Sequence, residues 1–217
     1  MDTLGIDEAG RGPVIGPLVV SGVHIKKEHE PHLKELGITD SKLLSPKKRE
    51  ILEKEIIKIA LNVRVVIISA KQIDNDMKNI SLNHVEMNAI IKIINQTPDA
   101  KKTIIDLPSN SKTFTQELEA KITTKTKITA EFKADLNYTA VSAASIIAKT
   151  ERDRQIRLIE KKHNIKLGSG YPSDPNTKTF LKEYIQSHDT LPDYIRQSWQ
   201  TTKDLIKSKT QKGLGDF

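Results

Sequence analysis

An α/β fold is predicted for this chain, a mixed β-sheet with helices packed on its faces. Three observations predict it. Short runs rich in Val and Ile read as strands, longer segments with apolar residues at three- and four-residue steps read as helices, and the order is strands first, then alternating helix and strand. The 217 residues suffice for one sizeable core with a small appended part and are short for two full domains.

Thr3 to Asp7, Pro17 to Ile25 and Asn62 to Ser69 read as the first three strands, separated by turn residues. Lys101 to Asp106 and Thr126 to Phe132 follow, the latter alternating apolar and polar residues in the half-buried manner. Pro46 to Ala60 is predicted helical, with Ser45 as N-cap and Pro46 in the first turn. Leu82 to Gln96 carries Val85, Ala89 and Ile93 at four-residue steps, and Ser111 to Ile122 reads as a further helix. A long helix is expected from Tyr138 to about His163, ended by the turn-rich GSGYPSDP at Gly168 to Pro175. Beyond it Phe180, Leu181, Tyr184 and Ile185 have amphipathic spacing, and Asp193 to Ser208 has enough apolar residues to pack back on the body.

Composition narrows the chemistry. With no Cys, disulfides, thiolate zinc sites and cysteine nucleophiles are excluded, so any metal sits on oxygen or imidazole. The six His are scattered and read as surface or capping residues. A net charge of +7 favours a polyanionic partner, a weak signal by itself. The start MDTLGIDEAG has no basic segment followed by an apolar run, and no stretch reaches the roughly 18 apolar residues of a membrane span. The chain is expected in the cytoplasm, as a monomer.

Acidic residues at strand ends are the informative feature. Asp7 and Glu8 follow an apolar strand, Asp106 ends TIID, and Asp135 stands between a strand and the long helix. Carboxylates so placed can converge on one sheet edge as an oxygen-only cage suited to Mg²⁺ or Mn²⁺. Phosphodiester hydrolysis calls for one ion to generate hydroxide and another to stabilise the leaving oxygen, and four carboxylates could hold that pair. Taken singly, each acid reads more readily as a turn or cap residue.

Two glycines flank Arg11 in DEAGRGPVIG, Asp7 to Gly16, where backbone amides can approach a phosphate and the guanidinium can grip it with two hydrogen bonds. Dinucleotide binding is excluded on three counts: Gly10, Gly12 and Gly16 miss the G-x-G-x-x-G spacing, Pro13 and a strand follow where a helix is needed, and two carboxylates face the would-be pyrophosphate. In AVSAASIIAKTERD, Ala140, Ala143, Ala144, Ile147 and Ala148 recur at the spacing of a buried face. Ser142, Ser145, Lys149 and Arg152 fall on the opposite stripe, which reads either as a phosphate-binding face or as a solvated one.

Together these segments closely resemble the ribonuclease HII family, the type 2 ribonucleases H, and most of all its single-chain archaeal members. The resemblance rests on GIDEAGRGPVIGPLVV at Gly5 to Val20, TDSKLLSPKKRE at Thr39 to Glu50, IIDLPS at Ile104 to Ser109, KADLNYTAVSAASIIAKTERD at Lys133 to Asp153, and GSGYPSDP. It implies a ribonuclease H-like core with a five-stranded mixed sheet flanked by helices, and a small helical C-terminal part. The expected division is 1–171 for the catalytic core, 172–208 for the helical subdomain and 209–217 for the tail. Asp7, Glu8, Asp106 and Asp135 become the metal-binding catalytic carboxylates, with two Mg²⁺ or Mn²⁺ ions during catalysis.

Gly10, Arg11, Gly12 and Tyr171 are expected, by the same resemblance, to recognise the ribonucleotide at an RNA-to-DNA junction, where the 2′-hydroxyl is the distinguishing group. Lys42, Ser142, Lys149 and Arg152 are the implied phosphate contacts. The implied reaction cuts on the 5′ side of ribonucleotides in RNA/DNA hybrids and in duplex DNA with embedded ribonucleotides, leaving 3′-hydroxyl and 5′-phosphate ends. A ribonuclease H-fold nuclease acting on DNA alone, and a non-catalytic nucleic-acid-binding module, are the alternatives. MKNISLNHVEMN, Met77 to Asn88, receives no function.

The last residues, QKGLGDF, place Gln211, Leu214 and Phe217 at three-residue steps, and look like a sliding-clamp-binding peptide with one terminal aromatic in place of the usual pair. A plain polar tail is the other reading.

Overall fold

A computed structural model describes residues 2–38, 44–107 and 112–213, with residues 112 and 211–213 described for backbone only. Lys42, Leu214, Phe217 and the side chain of Gln211 lie outside the described residues.

Five strands form one sheet: β1 (Thr3–Ala9), β2 (Leu18–Ile25), β3 (Asn62–Ile68), β4 (Lys102–Leu107) and β5 (Lys127–Phe132). The helices are α1 (Glu30–Glu35), α2 (Pro46–Ile59), α3 (Ala70–Asp76), α4 (Leu82–Asn95), α5 (Lys112–Lys121), α6 (Ala134–Asn137), α7 (Thr139–His163), α8 (Pro175–Ser187) and α9 (Gln200–Gly213). The strand order is β3-β2-β1-β4-β5. β1 pairs antiparallel with β2 and parallel with β4, and β4 pairs parallel with β5, so the sheet is mixed as expected. Among the described residues no helix is long and apolar enough to cross a membrane.

The chain divides into two compact units. The first comprises Met1–Ala9, Val19–Ile67 and Glu86–Glu151; the second comprises Gly10–Leu18, Ile68–Val85 and Arg152–Phe217.

Two glycines seat helices on the sheet in the first unit. A Cβ on Gly5 would fall 2.1 Å from the carbonyl carbon of Ala140, so the backbone of α7 lies directly on that strand. A Cβ on Gly22 would fall 2.4 Å from Ile93 of α4. Gly22 is the β2 partner of Ile6 in β1. Side chains alternate along a strand, so the Gly5 side of β1 meets α7 while the Leu4 and Ile6 side is covered with α4. Val23, Ile25, Leu33, Leu52, Ile56 and Ala143 belong to the buried cluster on the α7 side. Ser45 caps α2, its hydroxyl accepting from the Lys48 amide at 3.3 Å.

The second unit has its own core of Val14, Ile15, Leu167, Leu181 and Ile195, with Phe180, Tyr184, Trp199 and Leu205 packed against it. The segment expected from Asp193 to Ser208 does pack back, but its helix begins only at Gln200. The Asp74 carboxylate accepts from the backbone amides of Gln197 and Ser198 at 2.7 and 3.0 Å, holding those residues in a turn. α1, α3 and α6, which the sequence patterns do not signal, are short helices of 6, 7 and 4 residues.

Candidate active site

Three of the four predicted acids meet. Asp7, Asp106 and Asp135 each bring a carboxylate oxygen within 4.8 Å of one from each of the others. The sheet accounts for two of them. Ile6 is in register with Ile105, so Asp7 and Asp106 follow side by side at the carboxyl ends of parallel neighbours, where ligands of open α/β sheets bind. The third comes from the turn after β5. There Asp106 Oδ1 accepts the Ala134 amide at 2.7 Å, and the preceding Lys133 takes a left-handed φ of 59°. Ser142 of α7 fixes the same turn, donating to the Asp135 carbonyl at 2.5 Å and the Tyr138 carbonyl at 3.1 Å.

Glu8 is not one of the group among the described residues. Strand alternation explains this: Asp7 shares the Gly5 side of β1, toward α7, and Glu8 shares the side of Leu4 and Ile6. Its backbone amide donates to Asp7 Oδ1 at 2.7 Å.

The electrostatics of Asp7 are those of an acid held in a poor place for a lone negative charge. It is 4% exposed. Burial, then the Glu8 charge, push its pKa up to about 8, against a Ser145 hydrogen bond, the Lys149 charge and the Glu8 amide, which pull it down. Lys149 Nζ donates to Ser145 Oγ at 2.5 Å, so a Lys149–Ser145–Asp7 chain runs from α7 to the strand. A hard divalent cation fits this donor set: the ligands are all oxygen, two of the three acids are buried, and a positive ion would hold Asp7 ionised at neutral pH.

In the second unit the structure gathers the predicted recognition residues. Gly10 has a φ of 85°, and a Cβ there would fall 2.5 Å from the Pro17 carbonyl oxygen, so only glycine fits. Gly12 lies under the Tyr171 ring, whose Cε1 would be 3.5 Å from a Cβ at that position. Tyr171 is 40% exposed. The Arg152 guanidinium sits 5.4 Å from its ring centroid and donates to the Ser169 carbonyl. Asp174 braces this loop, accepting from the Ser169, Asn176 and Thr177 amides; the Ser169 side-chain hydrogen bond first, then these amides, lower its pKa to about 2.

Arg11 donates to Asn83 Oδ1 at 2.5 Å. That contact gives a place to part of the segment the sequence left without a role.

The polar stripe of α7 is not a solvated face. Ser142, Ser145 and Arg152 are all buried, and only Lys149 is half-exposed, because the N-terminal half of this helix is packed all round. Sequence reasoning left three further residues out of the site: Ser145, whose four-residue spacing to Lys149 was the available signal, and Arg196 and Trp199, for which there was none.

Comparison with known proteins agrees with this architecture. The family model described as Ribonuclease HII matches residues 4–202. Ribonuclease HII of Methanococcus maripaludis strain C5 is 46% identical over 209 residues, covering 94% of this chain and 87% of that protein. The crystal structure of ribonuclease H2 from Pyrococcus horikoshii OT3 superposes with a TM-score of 0.90 at 37% identity, covering 97% of this chain and 100% of that one. The ribonuclease HII in a structure of the PCNA:RNase HII complex from Archaeoglobus fulgidus gives 0.84 at 40% identity, covering 92% and 96%.

Proposed function

The chain belongs to the ribonuclease HII family of metal-dependent endonucleases, and from that premise we propose that it cuts RNA/DNA hybrids and duplex DNA with embedded ribonucleotides. Cleavage falls on the 5′ side of the ribonucleotide and leaves 3′-hydroxyl and 5′-phosphate ends. The observation that carries this reading is the convergence of Asp7, Asp106 and Asp135 at the carboxyl edge of the sheet.

In this reading those three carboxylates, with Glu8 beside Asp7, hold two Mg²⁺ or Mn²⁺ ions. When bound, the ions lower the pKa of water and stabilise charge on the attacking and leaving oxygens. Asp106 also fixes the turn that presents Asp135, through the Ala134 amide. Lys149 and Ser145 orient the Asp7 carboxylate. Gly10, Arg11, Gly12 and Tyr171 select the ribonucleotide: the loop amides and the phenol read the 2′-hydroxyl, and the exposed ring offers a surface for a sugar. Lys42, Ser142, Lys149 and Arg152 support the phosphate backbone, Ser142 and Arg152 by bracing the segments around them.

The tail at Gln211, Leu214 and Phe217 docks on a sliding clamp in this proposal. Its support is the peptide spacing and the relative from Archaeoglobus fulgidus that forms a complex with PCNA.

Incubation with an end-labelled duplex containing one ribonucleotide, with Mg²⁺, with Mn²⁺ or with chelator, tests the reaction. One cut on the 5′ side, extendable by a DNA polymerase and absent in chelator, is expected. Cutting of an all-DNA duplex in preference to the ribonucleotide duplex, or undiminished cutting in chelator, contradicts the proposal.

A further inference from the structure

Arg196 is a fully buried arginine in a segment with no helix or strand, and its guanidinium is spent on one object. Nη2 donates to the Gly10 carbonyl at 2.6 Å, Nη1 to the Arg11 carbonyl at 3.0 Å and Nε to the Gly16 carbonyl at 3.0 Å. Trp199 adds a fourth bond, from its indole N–H to the Gly12 carbonyl at 3.1 Å, and its ring lies 4.5 Å from the guanidinium. The backbone reinforces the arrangement: the Gly16 amide donates to the Tyr194 carbonyl, and the Arg196 amide to the Val14 carbonyl.

These bonds set the direction of the loop peptides. In a trans peptide the C=O and the following N–H point opposite ways, and no cis peptide is present among the described residues. Turning the Gly10 and Arg11 carbonyls onto the guanidinium therefore turns the Arg11 and Gly12 N–H groups away from it. Gly12, at the outer end, is exposed. A planar fork with fixed donors can hold three carbonyls in one geometry, which a single ammonium on a flexible stem cannot. Burial, then the nearby Arg152 charge, lower the Arg196 pKa to about 9, so the group keeps its charge at neutral pH.

We propose that Arg196, assisted by Trp199, is a positioning residue for ribonucleotide recognition, holding the Gly10–Gly12 carbonyls inward so that the Arg11 and Gly12 amides face the substrate. The proposal rests on the functional reading above, in which that loop contacts the ribonucleotide.

The test is steady-state kinetics of wild type, R196K and W199F on a single-ribonucleotide duplex, with an all-DNA duplex as competitor. R196K raises KM about tenfold or more, changes kcat by less than about threefold, and narrows the preference for the ribonucleotide duplex over the competitor. W199F, which keeps the aromatic packing and removes one donor, shifts KM and preference the same way by a smaller factor. A purely structural role gives a different signature: a smaller folded fraction lowers apparent kcat and leaves KM and preference unchanged. Unchanged KM and preference in folded R196K overturn the proposal, and if R196K does not fold, the same result in W199F overturns it. Wild-type protein that leaves the ribonucleotide duplex intact overturns the functional reading itself, and this inference with it.

Discussion

Replacing Asp7 by Asn separates what the acid does for stability from what it does for function. In the metal-free native state the buried carboxyl titrates at about 8 against an ordinary 3.8, so near neutral pH it holds a proton that the unfolded chain has released. Folding then carries a penalty of about 1.36 kcal/mol for each pH unit above the ordinary value. The interval from 3.8 to pH 7 sets an upper figure of about 4 kcal/mol, and about half that is expected once the site relaxes and admits water. The sign follows from the raised pKa. The wild type is free of this penalty below 3.8, loses stability progressively as pH rises through the folded pKa of about 8, and is level beyond it. Asn has no such slope. Urea denaturation in chelator is therefore expected to find D7N more stable than wild type by about 2 kcal/mol at pH 7, with the gap closing toward pH 4.5. Divalent cation reverses the order by stabilising the wild type through mass action, and D7N does not cleave. A D7N protein less stable than wild type in chelator at pH 7, or a gap that ignores pH between 5 and 7, refutes the reasoning.

Gly5→Ala drives a methyl into the backbone of α7 at 2.1 Å, and a loss of at least about 3 kcal/mol in the same denaturation assay is expected. Tyr171→Ala should raise KM for the ribonucleotide duplex about tenfold, whereas Tyr171→Phe, which keeps the ring over Gly12, should cost about threefold; competition with all-DNA duplex measures both. Removal of residues 211–217 should leave cleavage by the isolated protein within about twofold of wild type and abolish retention on an immobilised sliding clamp.

Much of this was legible in the residues because it depends on local pattern. The Val- and Ile-rich runs place β1 to β5 within about two residues, since a half- or fully buried strand leaves little freedom in composition. Asp7, Asp106 and Asp135 stood out because strand ends bring distant acids to one edge. Grouping acids by strand end takes no account of strand alternation, which is why it does not separate Glu8, whose charge still acts on Asp7, from the three acids that meet. The polar stripe of α7 misled for a related reason, because helical spacing identifies a stripe but not what covers it, and here Ser142 and Ser145 turn toward the Asp135 turn and Asp7. Short α1, α3 and α6 are fixed by tertiary contacts more than by propensity. Nothing local marks Arg196: an arginine in a polar segment reads as surface, and its burial arises from chain-distant pairing of Ile15 with Ile195. The same pairing makes residues 10–18 part of the unit that contains the C-terminal helices.

Crystals grown with Mn²⁺ and measured at its absorption edge test the account most directly. An anomalous peak within about 2.2 Å of carboxylate oxygens from Asp7, Asp106 and Asp135, lost in the D7N protein, is the predicted result. A protein that cleaves the ribonucleotide duplex in Mn²⁺ while its only anomalous peaks lie away from these three acids contradicts it.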